Sequence, residues 1–264
     1  MKLIMIDQDG VIFDRTYQVN KDISKTIETA TALGIILVPN SDTPIDRLNG
    51  NFQSSLKHTP QITIGEGGAI ARYMGQDFSL CNAEGITAFI EELVQIFRKT
   101  NCVIQIGDTA TWIKNNEKFP ANQKLMLIDG MRTNSIAFYL RQADSSGLAI
   151  IDNQWFVEGQ ELIKQLHLPA TLLPFDFNSK YGIAIASPVG VSKRNGYLFL
   201  REKFKVAQIY MIGDSEADWM GSEEELTTCS VGNGSPALKS HCQFVAQHDY
   251  TEGLEECLNW IISQ

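Results

Sequence analysis

Apolar and polar positions change their period along the chain, and the changes mark three stretches. In the first, Lys2–Ile6 is a short apolar run that stops at Asp7-Gln8-Asp9-Gly10, the pattern of a buried strand entering a turn. Ile23, Ile27, Ala30 and Leu33 then recur at helical spacing, with Gly34 as the stop. Residues 35–38 predict a second buried strand ending in Pro39-Asn40-Ser41-Asp42-Thr43-Pro44, where Asp42 or Thr43 would cap a helix with Pro44 in its first turn. A further strand at 62–64 leads into Gly65-Glu66-Gly67-Gly68.

The last stretch repeats the habit. It predicts a helix over 192–203, a strand over 207–212, a turn at Gly213-Asp214-Ser215 into a further helix, and a strand over 226–231. Leu254, Cys257, Leu258 and Ile261 mark a closing amphipathic helix. The middle differs. A helix over 84–99, with Ile86, Phe89, Ile90, Leu93, Ile96 and Phe97 on one face, precedes strand-like segments at 102–106, 111–114, 125–128, 135–140 and 148–151. Alternating strands and helices imply a parallel sheet covered on both faces, so the fold expected is α/β with an α+β insert. Residues 1–75 and 181–264 would form the core and 76–180 the insert, with no internal repeat.

Composition narrows the function classes. Hydrophobic residues are 44% and charged residues 20% of 264, ordinary for a globular chain. The net charge of −9 comes with no dense basic run, which argues against a nucleic-acid partner. Apolar runs such as 34–38 fall far short of the roughly 18–20 residues of a membrane span, and no signal-peptide core precedes Asp7. A cytoplasmic protein with no membrane partner is expected. Five scattered cysteines without a Cys-x-x-Cys pair argue against a disulfide framework or thiolate zinc site and read as buried reduced thiols. The four histidines show no ligand spacing.

The polar residues that could carry chemistry follow predicted strands, where open parallel sheets bind ligands. Asp7 and Asp9 follow the first strand, Ser41 the second, and Asp214 and Asp218 the strand at 207–212. Carboxylates gathered at one rim should not all ionise without a cation, and Mg²⁺ takes one or two of them while leaving room for substrate phosphate. Each signal alone is weak, since Asp-x-Asp-Gly is often only a turn. Lys193 is more telling, because it stands in the first turn of a predicted helix, where the macrodipole disfavours a cation. A phosphate-binding role explains that placement.

In combination and order, these residues resemble the haloacid dehalogenase (HAD) superfamily. Its four signatures correspond to Asp7-Gln8-Asp9-Gly10, Ser41, Lys193 and Gly213-Asp214-Ser215-Glu216-Ala217-Asp218. Gly190-Val191-Ser192-Lys193, with Val231-Gly232-Asn233-Gly234 and Glu252-Gly253-Leu254, resembles the Cof-type branch. The resemblance covers residues 1–75 and 180–264. It implies a Rossmann-like core with a C2-type cap, of the C2B kind, inserted between Ser41 and Lys193; such caps close over the substrate and set its identity.

The resemblance implies a Mg²⁺-dependent phosphatase acting on a small phosphorylated metabolite, a sugar phosphate among the candidates, through an aspartyl-phosphate. Asp7 would be the nucleophile and Asp9 the general acid and then base. Asp7, Asp9 (through its backbone carbonyl), Asp214 and Asp218 would form the metal site, while Ser41 and Lys193 hold the phosphoryl oxygens. Within the insert, Arg132 and Lys114 are candidate substrate contacts, and Trp112 and Trp155 read as packing. The chain departs from the family pattern at Val11 (usually Thr), at Ser41-Asp42-Thr43 (commonly Thr-Gly-Arg), at Glu66, where Asn-Gly is frequent, and at Ala217 (often Asn). A phosphomutase and a catalytically quiet binding protein on the same scaffold are the alternatives. A receiver domain fits less well, having no use for so large an insert.

Overall fold

The structure is a computed structural model and describes residues 2–206 and 208–264. It divides into two compact units, Met1–Leu80 with Val191–Gln264, and Cys81–Gly190.

The first unit begins with β1 (Lys2–Ile6), α1 (Ser24–Ala32), β2 (Ile36–Pro39), α2 (Ile45–Leu56) and β3 (Ile62–Gly65), followed by a hairpin of β4 (Ile70–Tyr73) and β5 (Gln76–Ser79). The second unit runs α3 (Ile86–Arg98), β6 (Val103–Gly107), α4 (Thr109–Lys114), β7 (Lys124–Asp129), β8 (Ile136–Ala143), β9 (Ala149–Ile150), α5 (Asn153–Ile163), β10 (Asp176–Asn178) and β11 (Ile183–Ala186). The chain then returns to the first unit with α6 (Lys193–Phe204), β12 (Gln208–Gly213), β13 (Leu226–Ser230), α7 (Pro236–Lys239), β14 (Phe244–Val245) and α8 (Tyr250–Ser263). No helix among the described residues is long and apolar enough to cross a membrane.

The first unit is built on a parallel sheet ordered β14-β13-β12-β1-β2. Successive residues of β1 serve opposite faces, which is why its sequence is an unbroken apolar run rather than an alternation. Ile4 and Ile6 pack with Ile27 of α1, Phe52 of α2 and Leu258 of α8, while Leu3 and Met5 pack with Tyr197 and Leu200 of α6. Burial of β1 on both faces leaves Asp7, the residue that follows it, at the rim of the sheet. Asn40, just past β2, bridges to Ile64 of β3, which pairs antiparallel with β4.

The second unit has its own mixed sheet, β10-β11-β8-β7-β6, with β9 added to β8. On one face α3 (Phe89, Leu93, Phe97) and α5 (Trp155, Phe156) cover Met126, Ile128 and Phe138. On the other, Leu125 and Leu127 pack with Phe119, Trp112 and Val103.

Several expected elements differ. Residues 111–114 are helical, not extended, because Asp108 caps α4 by accepting from the Thr111 amide. Neither Asp42 nor Thr43 caps α2; Pro44 occupies that position and Ile45 opens the helix. The turn at 213–215 leads to a single 3₁₀ turn, Glu216–Asp218, because the Asp218 carboxylate takes the Asp214 and Ser215 amides and closes the segment. The expected strand over 207–212 is described from Gln208, and Ala207 lies outside the described residues. The β4–β5 hairpin, α5, β10 and β11 are additions to the sequence reading. The units divide after residues 80 and 190 rather than 75 and 180, because the hairpin joins β3 and because β11 pairs with β8.

Candidate active site

The carboxyl ends of β1, β2 and β12 bring the acidic residues and one lysine together. Asp7 follows the end of β1, and its amide donates to the Ile212 carbonyl of β12 at 3.0 Å. β12 ends in Gly213, followed by Asp214, and Asp218 returns from the 3₁₀ turn. Asp7, Asp214 and Asp218 each place a carboxylate oxygen within 4.8 Å of the others. Lys193 opens α6, and its Nζ lies 2.7 Å from Asp7 Oδ1 and 2.6 Å from Asp218 Oδ1. All three side chains are buried.

Gly10 allows this approach. Its φ is +84°, and a Cβ there would lie 2.1 Å from Asp214 Oδ2. The loop is tied from the other side by Asn233, whose Nδ2 donates to the Gly10 carbonyl at 2.8 Å and whose Oδ1 accepts from the Tyr250 amide at 2.8 Å.

The electrostatics follow from burial. Desolvation pushes the Asp7 carboxyl well up from its ordinary value; Lys193 pulls it back, and Asp218 and Asp9 add to the rise. Asp214 is raised to about 6, first by burial and then by Asp218. Burial alone would lower the Lys193 ammonium, but Asp7 and Asp218 outweigh it and the net direction is up. Solvent reaches Asp9, yet the protein packed around it still raises its carboxyl, against a hydrogen bond from Gln8 that acts in the other direction.

Three crowded carboxylates beside one ammonium leave an excess of negative charge. Their donor atoms are all hard oxygens, and their spread compares with the about 4.2 Å between opposite ligands of octahedral Mg²⁺. The residues therefore suit such an ion. Both Asp218 oxygens already have partners: Oδ2 accepts from the Asp214 amide at 3.0 Å and from the Ser215 amide at 2.9 Å and hydroxyl at 3.1 Å, and Oδ1 faces Lys193 Nζ at 2.6 Å. Asp9 stands outside the carboxylate group.

Ser41 is buried past β2, its amide donating to the Ile64 carbonyl at 3.2 Å. A turn after β3 pins this segment: the Glu66 amide donates to the Thr43 carbonyl and the Gly67 amide to the Ser41 carbonyl. Gly68 of the same turn, at φ +98°, is pressed so closely against Ser192 that a Cβ would lie 2.0 Å from its carbonyl oxygen. Asn40 Nδ2 donates to the Lys193 carbonyl at 3.3 Å. The Ser41 segment and the start of α6 are thus held by common contacts.

The second unit carries the other two candidates. Arg132 is largely buried, with Nε 3.5 Å from Asp129 and Nη1 donating to Ser135 at 2.9 Å. Lys114 is exposed in the last turn of α4. Trp155 is buried and donates to the Leu125 carbonyl at 3.0 Å. Sequence reasoning assigned no role to Gln8, Asn51, Ser215 or Asn233; of these, Gln8 lay in view between the two aspartates of a recognised motif.

The fold and this rim of acids define a class. A family model described as haloacid dehalogenase-like hydrolase matches residues 4–258, and the chain belongs to that family. Its fold is that of a HAD/COF-like hydrolase from Plasmodium vivax (15% identity, 99% of this chain and 95% of that one, TM-score 0.61), in keeping with the Cof-type resemblance. A haloacid dehalogenase-like hydrolase from Bacteroides thetaiotaomicron is similar over 98% of this chain and 99% of its own, at 15% identity and TM-score 0.65. A further structure, reported for a trigonal-bipyramidal intermediate in a phosphoryl-transfer superfamily, is similar over 98% of both chains at 13% identity and TM-score 0.59. No curated protein matches the chain.

Proposed function

We propose that the protein hydrolyses a small phosphate monoester, a sugar phosphate being one candidate, through a phosphorylated Asp7. The observation that carries this reading is Lys193 Nζ at 2.7 Å from Asp7 and 2.6 Å from Asp218 at the end of a parallel sheet. That arrangement pairs a nucleophile with a fixed positive charge, as phosphoryl transfer requires. The similarity to a phosphoryl-transfer protein supports it.

In the first step a carboxylate oxygen of Asp7 attacks phosphorus, the bond from phosphorus to the ester oxygen breaks, and Asp9 gives its proton to the departing alcohol. In the second, Asp9 takes a proton from water, the water oxygen attacks phosphorus, and the bond to Asp7 breaks, releasing inorganic phosphate. Lys193 and Ser41 hold the phosphoryl oxygens in both steps. Asp7, Asp214 and Asp218, with the Asp9 carbonyl, would hold Mg²⁺, which supplies neutralisation of phosphoryl charge when bound. Lys114 and Arg132 are proposed contacts for the organic part of the substrate, Lys114 having the freer side chain.

The test is phosphate release from a panel of phosphorylated sugars, glycerates and nucleotides, with and without Mg²⁺, beside Asp7→Asn. Mg²⁺-dependent turnover abolished in Asp7→Asn is expected. A folded, Mg²⁺-binding protein that releases no phosphate from any of them would overturn the phosphatase reading and direct the search to phosphomutase or binding roles.

A further inference from the structure

Gln8 is the residue between the two aspartates, and it is 3% exposed with both ends of its carboxamide engaged. Its Oε1 accepts from Asn51 Nδ2 of α2 at 2.8 Å. Its Nε2 donates to Thr43 Oγ1 at 3.1 Å and, over a longer 3.4 Å, to Asp9 Oδ1. Thr43 Oγ1 also receives the Ser41 hydroxyl at 3.4 Å, and the Thr43 amide donates to Ser41 Oγ at 3.3 Å. Asn51, Gln8, Thr43, Ser41 and Asp9 therefore form one connected set, all within the first unit.

The strand period explains how Gln8 reaches these partners. Ile6 faces Phe52 and Leu48 of α2, and Gln8, two residues on, continues that face towards Asn51. An apolar side chain would fill the same place without having to satisfy an amide, so burying a carboxamide there makes sense only if its direction matters. With Oε1 held by Asn51, both Nε2 protons are aimed, one at Thr43 and one at Asp9. Among the described residues, Gln8 is the one side chain with a hydrogen bond to the Asp9 carboxylate.

We propose that Asn51 and Gln8 are positioning residues that fix the Asp9 carboxylate and tie it to the Ser41–Thr43 segment, so that proton donor and phosphate contact are set as a unit. The inference rests on the reading of Asp9 as the leaving group's proton donor. A loosely held Asp9 would still exchange protons but would meet the departing oxygen in fewer arrangements. The loss should therefore grow with the need of the leaving group for a proton.

The experiment compares kcat/KM for phenyl phosphate and p-nitrophenyl phosphate, two probes of similar shape whose leaving groups differ in basicity. Gln8→Met keeps length and removes both donors; it is expected to lower kcat/KM about tenfold for phenyl phosphate and less than about threefold for p-nitrophenyl phosphate. Asn51→Leu should shift the ratio in the same direction, and the double variant should be no worse than Gln8→Met, because Asn51 acts through Gln8. Equal losses on both probes, no loss, or additive losses would overturn the proposal while leaving the phosphatase reading in place. Absence of wild-type turnover on both probes and on the whole panel of phosphate esters would overturn that reading and this inference with it. Should Gln8→Met not fold, the ratio for Asn51→Leu decides alone.

Discussion

Lys193 and Asp7 stand 2.7 Å apart with both side chains buried, and Asp218 shares the same ammonium at 2.6 Å. One cation thus holds two carboxylates that water cannot reach, at the first residue of a helix whose dipole works against it. The arrangement is costly, and the negative charge it leaves in excess suits a cation beside it.

Removing that cation should therefore harm both stability and turnover. Breaking a buried ion pair from one side costs about 3–5 kcal/mol, because the remaining charges are left without compensation. Lys193→Met is expected to lose on this scale in urea unfolding without Mg²⁺, and less with it. Phosphate release should fall by roughly 10²–10³ or more, the scale of losing a preorganised charge at a transferring group. Full activity in Lys193→Met would refute the phosphate-binding role.

Mg²⁺ binding should weaken in acid, with a midpoint set by Asp214. Its carboxyl is raised to about 6, first by burial and then by Asp218, so the metal-free folded protein binds a proton there that the unfolded chain releases near pH 4. The sign follows: this group's contribution to metal-free stability is fully present below about pH 4 and is lost as pH rises through about 6. An arriving cation must displace the proton below that point, so affinity should drop about tenfold per unit from pH 6 to 5 and more steeply where Asp7 also yields one. Titration calorimetry between pH 5 and 8 measures this; a flat affinity would show that Asp214 does not bind the ion.

The grouping of Asp7, Asp214 and Lys193 was legible because each sits beside a local signal. Asp7 and Asp214 each follow a buried run broken at its end, and Lys193 opens a helix where a cation is out of place. The β4–β5 hairpin carried no such mark: its turn is Met74-Gly75, both at positive φ (51° and 74°), and methionine does not announce that conformation as asparagine does. Trp112 and Ile113 in Thr111-Trp112-Ile113-Lys114 favour a strand by type, and a single cap from Asp108 reverses the outcome. The contact of Asn51 with Gln8 joins residues 43 apart, a distance over which side-chain type carries no signal of its own.

Gly10→Ala separates backbone strain from disturbance of the site. Gly10 and Gly34 both hold positive φ, +84° and +76°, so alanine at either should cost about 1–2 kcal/mol. A Cβ at Gly34 meets nothing within 4 Å, whereas one at Gly10 would lie 2.1 Å from Asp214 Oδ2. Gly34→Ala should be less stable with activity per folded molecule intact. Gly10→Ala should also lose at least about tenfold in Mg²⁺ affinity, as a displaced ligand does. Equal Mg²⁺ affinity in the two variants would mean that Asp214 moves aside without consequence.

Among the described residues, the hydrophobic clusters of the second unit share no buried residue with those of the first, so the fragment Cys81–Gly190 should fold alone. Trp155 is the largest fully buried side chain of that core. It is 1% exposed, meets Phe97 edge-on at 5.7 Å, carries Lys124 over its ring at 4.7 Å, and donates to Leu125 O at 3.0 Å. Trp155→Ala removes all of these and should cost about 3–5 kcal/mol. A small domain has about 5–15 kcal/mol in total, so the variant fragment should lose a large part of its stability and unfold at a much lower urea midpoint. Trp155→Phe keeps most of the buried surface and loses one hydrogen bond, about 0.5–1.5 kcal/mol, and should still unfold cooperatively at a lower urea midpoint. Urea titrations of the three fragments followed by circular dichroism measure the order. Equal midpoints for wild type and Trp155→Ala would mean that the stability of the unit lies elsewhere than in the α3–α5 face.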